Sequence, residues 1–312
     1  MPRHSKSTFT LLIAGAAFLL SPGLIRSQDQ DTVFRSDTRL VSLNVTVVNK
    51  QNHLVTDLKQ GAFQVYENNI IQPIKLFRRE DVPVSMGIVV DNSGSMRDKR
   101  GRVESAALQL VRESNPMDEE FIVNFNDEAY LDADFTSDIK VLEQGLTKID
   151  SRGGTAMRDA IRMSIDHLKA KAKRDKKVLL VITDGNDNAS MISLDTLVRM
   201  AQQTDTTIYA IGLLSEEEKK EARKAKSALD LLVEKTGGQV FYPKEAADVE
   251  AIAKQVAHDI RNQYSIAYTP TNESLDNTYR TIKVTVKAPG NPMARTRSGY
   301  YASQERAVKK PS

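Results

Sequence analysis

Met86-Gly87-Ile88-Val89-Val90-Asp91-Asn92-Ser93-Gly94-Ser95 is an apolar run that stops at a carboxylate and continues with two hydroxyls at alternate positions. Its first half is rich in β-branched side chains and bounded by turn formers, which predicts a buried strand. The chemistry lies just past the strand end. Asp91, Ser93 and Ser95 offer only hard oxygen donors, spaced so that a tight loop turns all three toward one point. Oxygens of this kind suit magnesium, manganese or calcium, whereas zinc and copper prefer nitrogen or sulfur. A strand-to-helix turn with a capping Ser or Asp has the same local pattern, so the triplet needs support from elsewhere in the chain.

On the C-terminal side the pattern alternates between strand and helix. Val103, Ala107, Leu110 and Val111 mark the inner face of a helix that stops at Asn115-Pro116. Residues 121–125 form the next strand, 129–135 an edge hairpin and 139–149 a helix. Then Ser151-Arg152-Gly153-Gly154-Thr155 makes a glycine-rich turn into a helix over 156–172. The most apolar strand, 177–183, belongs at the centre of the sheet and ends in Asp184-Gly185. A helix (194–203) and a strand (207–213) follow. Ser215-Glu216-Glu217-Glu218 caps a charged helix running to Gly237-Gly238. After a short strand at 239–242, the last helix sets Val249, Ile252, Val256 and Ile260 on one face. This alternation predicts an α/β fold, a doubly wound, mostly parallel sheet with helices on both faces. Ligands of such sheets bind outside the carboxyl ends of the strands, where strand order reverses. Five oxygen-bearing side chains then share one edge: Asp91, Ser93, Ser95, Thr155 and Asp184.

The two ends of the chain read differently. Between residues 31 and 81 the period is two: Val41, Leu43, Val45 and Val47 alternate with Ser42, Asn44 and Thr46, and runs at 63–66 and 74–77 follow. A few half-buried strands leave one apolar face wet. The missing partners lie at 264–268, 281–287 and 298–301, so the two ends are expected to close into one small β-sandwich. The division is then 1–27 export signal, 31–81 β-rich flank, 84–262 α/β domain, 263–303 second β-rich flank and 304–312 polar tail.

Residues 1–27 carry a basic start (Arg3, Lys6), an apolar segment at 9–20 and the helix breakers Ser21-Pro22-Gly23, the order of an export signal. An uncleaved N-terminal anchor is the alternative. No other stretch is long and apolar enough to span a bilayer, so a secreted, periplasmic or cell-envelope location is expected. The net charge of +3 comes from this segment, leaving 41 basic and 41 acidic residues beyond it. That balance gives no reason to expect nucleic acid as a partner. Cysteine is absent, which removes disulfides, thiolate catalysis and cysteine-held zinc.

Asp91-x-Ser93-x-Ser95, Gly153-Gly154-Thr155 and Thr183-Asp184-Gly185 together resemble the metal-ion-dependent adhesion site (MIDAS) of the von Willebrand factor A domain family. The similarity covers roughly residues 84–262, and none of the five ligand positions departs from the family's pattern. The β-rich flanks resemble, more loosely, those of a group of secreted bacterial proteins carrying such a domain. The resemblance implies that the serines and the threonine contact a divalent cation and that the aspartates often act through water. An Asp or Glu of a protein partner fills the open position. Magnesium heads the list of ions, with calcium or manganese as alternatives.

Three other readings compete with a metal-dependent interaction module. A serine hydrolase needs a Gly-x-Ser-x-Gly elbow, which the chain lacks. A magnesium-dependent phosphatase with an aspartyl nucleophile needs a second acid where Ser93 stands. A metal-independent interaction module, binding through its β-sandwich, is the other alternative. Asp187 reads as a solvated loop acid, and the charge runs 216–226 and 169–177 as wet helix faces.

Overall fold

The computed structural model describes residues 40–79, 81–148, 151–214, 219–245 and 248–303. The expected export signal, residues 31–39 of the first flank, the cap at 215–218 and the tail at 304–312 lie outside the described residues.

Four strands come first: β1 (Val41–Val48), β2 (Phe63–Glu67), β3 (Ile70–Gln72) and β4 (Ile74–Arg78). In β1 the alternation puts Val41, Leu43, Val45 and Val47 inside while Ser42 faces water. The β2–β3 hairpin turns through Asn68 and Asn69, both at positive φ, as a tight two-residue turn requires.

The α/β part follows in chain order. It runs β5 (Val84–Asp91), α1 (Arg100–Arg112), β6 (Glu119–Phe125), β7 (Ala129–Thr136), α2 (Ile139–Leu146) and α3 (Met157–Lys171). It continues with β8 (Lys176–Thr183), α4 (Leu194–Gln203), β9 (Thr206–Gly212), α5 (Lys219–Thr236), β10 (Val240–Phe241) and α6 (Val249–Arg261). The sheet order is β10-β9-β8-β5-β6-β7, and β7 alone runs antiparallel. Every residue of β5, β6, β8 and β9 is buried. Helices cover both faces, which is why these strands read as apolar runs without alternation. Met86, Ile88 and Val90 pack with side chains of α1, α2 and α6, while Val89 points to the other face with those of α3, α4 and α5. Gly87 is needed between them, because a Cβ there would stand 2.3 Å from Phe121 Cζ.

The chain ends in β11 (Tyr264–Tyr268), β12 (Tyr279–Val286), β13 (Met293–Arg295) and β14 (Gly299–Tyr301). These interleave with the first four strands in two sheets, β13-β1-β11-β4 and β14-β12-β2-β3. Each sheet holds strands from both ends of the chain, which is the expected sandwich. Leu43, Val45, Phe63, Val65, Tyr264 and Ile266 are among its core side chains. A polar pin crosses that core: Glu67 accepts from Tyr268 Oη at 2.7 Å, Tyr300 Oη at 2.9 Å and Arg280 Nη1 at 3.1 Å. Arg280 also donates to the carbonyls of Asn272 and Ser274.

One charge run differs from its reading. Lys176 and Lys177 are not on a wet helix face but open β8, and both are buried. The strand starts there because its pairing with β5 begins at Val84 opposite Lys176. The Lys176 ammonium reaches the Ile260 carbonyl near the end of α6, and burial pushes its pKa down to about 8.

Candidate metal centre

Strand β5 sends its connection to β6 on one side, while its other neighbour is β8. The order of strands therefore reverses between β5 and β8, and the crevice at their carboxyl ends is where such sheets take ligands. Val90 pairs with Ile182, so Asp91 and Thr183 close adjacent strands. Thr183 Oγ1 donates to Asp91 Oδ2 at 2.6 Å and the Ser93 amide to Oδ1 at 2.8 Å. Asp91 is only 1 % exposed. Burial pushes its pKa up to about 6 against the pull of the Thr183 and Ser93 hydrogen bonds, and the charge of Asp184 adds to the rise. A carboxylate so desolvated is stabilised by a nearby cation.

The loop beyond Asp91 makes a single 3-10 turn, Gly94–Met96, with Met96 fully buried as its anchor. This turn brings Ser93 Oγ and Ser95 Oγ to 3.1 Å, and Ser95 Oγ donates to Asp184 Oδ1 at 2.8 Å. The glycine-rich loop is tied alongside: the Gly94 amide donates to Gly153 O at 3.1 Å and the Arg152 amide to Asn92 O at 2.9 Å. Gly153 has φ +76°, and a Cβ there would lie 2.0 Å from Asp127 Oδ2. Asp127 in turn accepts from the Gly154 amide at 2.7 Å. Thr155 is held by Asn188, whose Oδ1 accepts from the Thr155 amide at 2.9 Å. Its Oγ1 lies 3.5 Å from where a Cβ on Gly185 would sit, so it faces the Asp184-Gly185 turn.

Of the five sequence-derived residues, Ser93, Ser95 and Asp184 are linked oxygen to oxygen, Asp91 lies against the Ser93 amide and Thr183, and Thr155 faces the turn after Asp184. Oxygens bound at about 2.1 Å in an octahedron are about 3.0 Å from their neighbours. The Ser93–Ser95 and Ser95–Asp184 hydrogen bonds, 3.1 and 2.8 Å, are close to that length, so these oxygens are compatible with a small hard cation that replaces the hydrogen bonds between them. Among the described residues no group of three or more His, Cys, Asp or Glu side chains is placed to hold a metal. A cation at this edge has two carboxylates and three hydroxyls for donors, with neither nitrogen nor sulfur in the set.

Several participants escaped the sequence reading. Thr183, read only as the first residue of the Thr183-Asp184-Gly185 motif, also donates a hydrogen bond to Asp91 across 92 residues. Asp187 is not a solvated loop acid: its side chain is 6 % exposed and accepts from the Arg158 amide and guanidinium and from Ser190, clamping the loop behind Thr155. Lys99, just before α1, places Nζ 2.5 Å from Asp184 Oδ2 and 3.4 Å from Leu213 O. A cation at a helix N-terminus opposes the helix dipole, which is the signal that points to it.

The fold is therefore a doubly wound α/β module with a cluster of oxygen donors at the switch point of its sheet. Residues 86–186 match the family model of the von Willebrand factor type A domain, and this part of the chain is a domain of that family. An uncharacterized protein of Borreliella burgdorferi is 25 % identical over 213 residues, 64 % of this chain and 60 % of that protein. The chain thus spans less than two thirds of that relative's length. Among solved structures, proximal thread matrix protein 1 from the mussel byssus, with zinc-occupied MIDAS motif, superposes with a TM-score of 0.51 at 16 % identity, over 62 % of this chain and 49 % of that one. BatB of Bacteroides thetaiotaomicron gives 0.47 at 17 % identity, over 56 % and 98 %.

Proposed function

We propose that this chain is a secreted or envelope-held interaction module. It takes one divalent cation, magnesium first, at Asp91, Ser93, Ser95, Thr155 and Asp184, and through it grips an Asp or Glu side chain of a protein partner. The observation that carries the reading is the spacing of Ser93, Ser95 and Asp184 oxygens at the edge lengths of an octahedron. The zinc in the MIDAS of the byssus protein supports a cation in this kind of site. The all-oxygen donor set here favours magnesium, manganese or calcium instead. A non-catalytic role is supported by Asp91, which has both oxygens in hydrogen bonds and almost no exposure, a poor arrangement for the nucleophile of a phosphatase. The leader-like order of residues 1–27 supports a placement outside the cytoplasm. Among the described residues, no helix is long and apolar enough to cross a membrane.

Thr155→Ala tests the reading with little effect on folding, since a loop hydroxyl contributes little to the core. Magnesium affinity measured by calorimetry is expected to fall about 10-fold or more, with the melting temperature in EDTA unchanged. Capture of a partner from cell-envelope material is expected to vanish with EDTA in the wild type and to weaken in the variant. Wild-type magnesium affinity in Thr155→Ala would remove that residue from the site, and capture that survives EDTA would favour binding through the β-sandwich.

A further inference from the structure

Asp184 already has a positively charged partner. Its side chain is 1 % exposed, Oδ1 accepts from Ser95, and Oδ2 is paired with Lys99 Nζ at 2.5 Å, the Lys99 side chain being 30 % exposed. The lysine is held for this contact by its backbone. Its amide donates to Met96 O, and its carbonyl accepts the amides of Arg102 and Val103, the first bonds of α1. The local field does not explain a lysine here. Arg100 and Arg102 follow it into the same first turn, where the helix dipole disfavours cations. Arg100 has a local acid, Glu104 at 2.6 Å, whereas Lys99 reaches across to another strand end for its own.

We propose that Lys99 is a tethered counter-ion that competes with the divalent cation for Asp184, so that metal enters only as the ammonium leaves. The inference rests on the metal reading of this site. An ammonium and a divalent cation on one carboxylate repel each other, and Asp184 has no third oxygen with which to separate them. Because Lys99 is partly exposed and its stem is flexible, it can swing to solvent while its backbone stays in place. The lysine neutralises Asp184 while metal is scarce and lowers the affinity for metal, raising the concentration at which the site becomes competent for an acidic partner.

The test compares wild type with Lys99→Met and Lys99→Arg by calorimetric titration with magnesium chloride. It also follows acetylation of Lys99 in the wild type by mass spectrometry, with magnesium and with EDTA. Lys99→Met is expected to bind magnesium at least about tenfold more tightly, the affinity equivalent of one lost charge-assisted hydrogen bond. Lys99→Arg, which keeps the charge, is expected to stay near the wild type. Lys99 acetylation is expected to rise several-fold on adding magnesium. Equal or weaker binding by Lys99→Met, or Lys99 as protected with magnesium as without it, overturns the inference while leaving the metal site standing. If neither wild type nor Lys99→Met binds magnesium, both readings fall together.

Discussion

Asp91→Asn is expected to stabilise the metal-free protein and to make it blind to magnesium. Burial raises the Asp91 pKa from 3.8 to about 6. Between those values the folded chain holds a proton that the unfolded chain has released, so stability falls as pH rises from about 4 to about 6 and stays reduced above that. The cost at neutral pH is about 3 kcal/mol. Asparagine removes the charge, keeps an acceptor for the Ser93 amide and gives up the charge-assisted bond from Thr183, so part of that cost is recovered. Magnesium at about 100 times its dissociation constant is expected to stabilise the wild type by about 2.7 kcal/mol. The variant, lacking the anionic donor, is expected to gain nothing. The order of melting temperatures therefore reverses: the variant melts higher in EDTA and the wild type melts higher in saturating magnesium. Parallel curves for the two proteins would show that Asp91 does not serve a metal.

The second large effect belongs to the β-sandwich. Arg280 and Glu67 are 2 % and 3 % exposed at the side chain and pair across β2 and β12. Arg280→Met is expected to cost about 3–5 kcal/mol, because it leaves a buried carboxylate without its cation. The carbonyls of Asn272 and Ser274 lose their donor as well. Adding Glu67→Gln to Arg280→Met is expected to recover much of the loss, since the amide accepts from Tyr268 and Tyr300 without carrying charge. Urea unfolding of the single and double variants measures both steps. A double variant no more stable than Arg280→Met would show that packing of the arginine stem, not its charge, holds the sandwich.

The architecture was legible because its two periodicities differ. Short apolar runs bounded by turn formers, such as Ile88-Val89-Val90 and Val178 to Ile182, read as strands covered on both faces, and the alternation of Val41 to Val47 as a half-buried strand, although Thr46 on its polar side is buried as well. The donors at the sheet edge were legible as types and spacings, since Asp91, Ser93 and Ser95 follow one strand and Asp184 follows another. What spacing does not carry is pairing across long separations. Lys99 and Asp184 are 85 residues apart, Thr183 and Asp91 92, and Glu67 and Arg280 213. The misread lysines at 176 and 177 show the same limit: a run of charge looks solvated until the register of a neighbouring strand draws its end into the sheet. Asp187 was misread for a related reason, as its donors Arg158 and Ser190 mark a loop clamp only once folded.

The most direct test is anomalous diffraction from crystals of the protein grown with manganese chloride. A single strong peak is expected at the carboxyl edge of β5 and β8, with Ser93 Oγ and Ser95 Oγ within about 2.0–2.4 Å and Thr155 and Asp184 facing it. A peak elsewhere, or none at this edge with the ion in excess, would show that the five oxygens serve the loops alone.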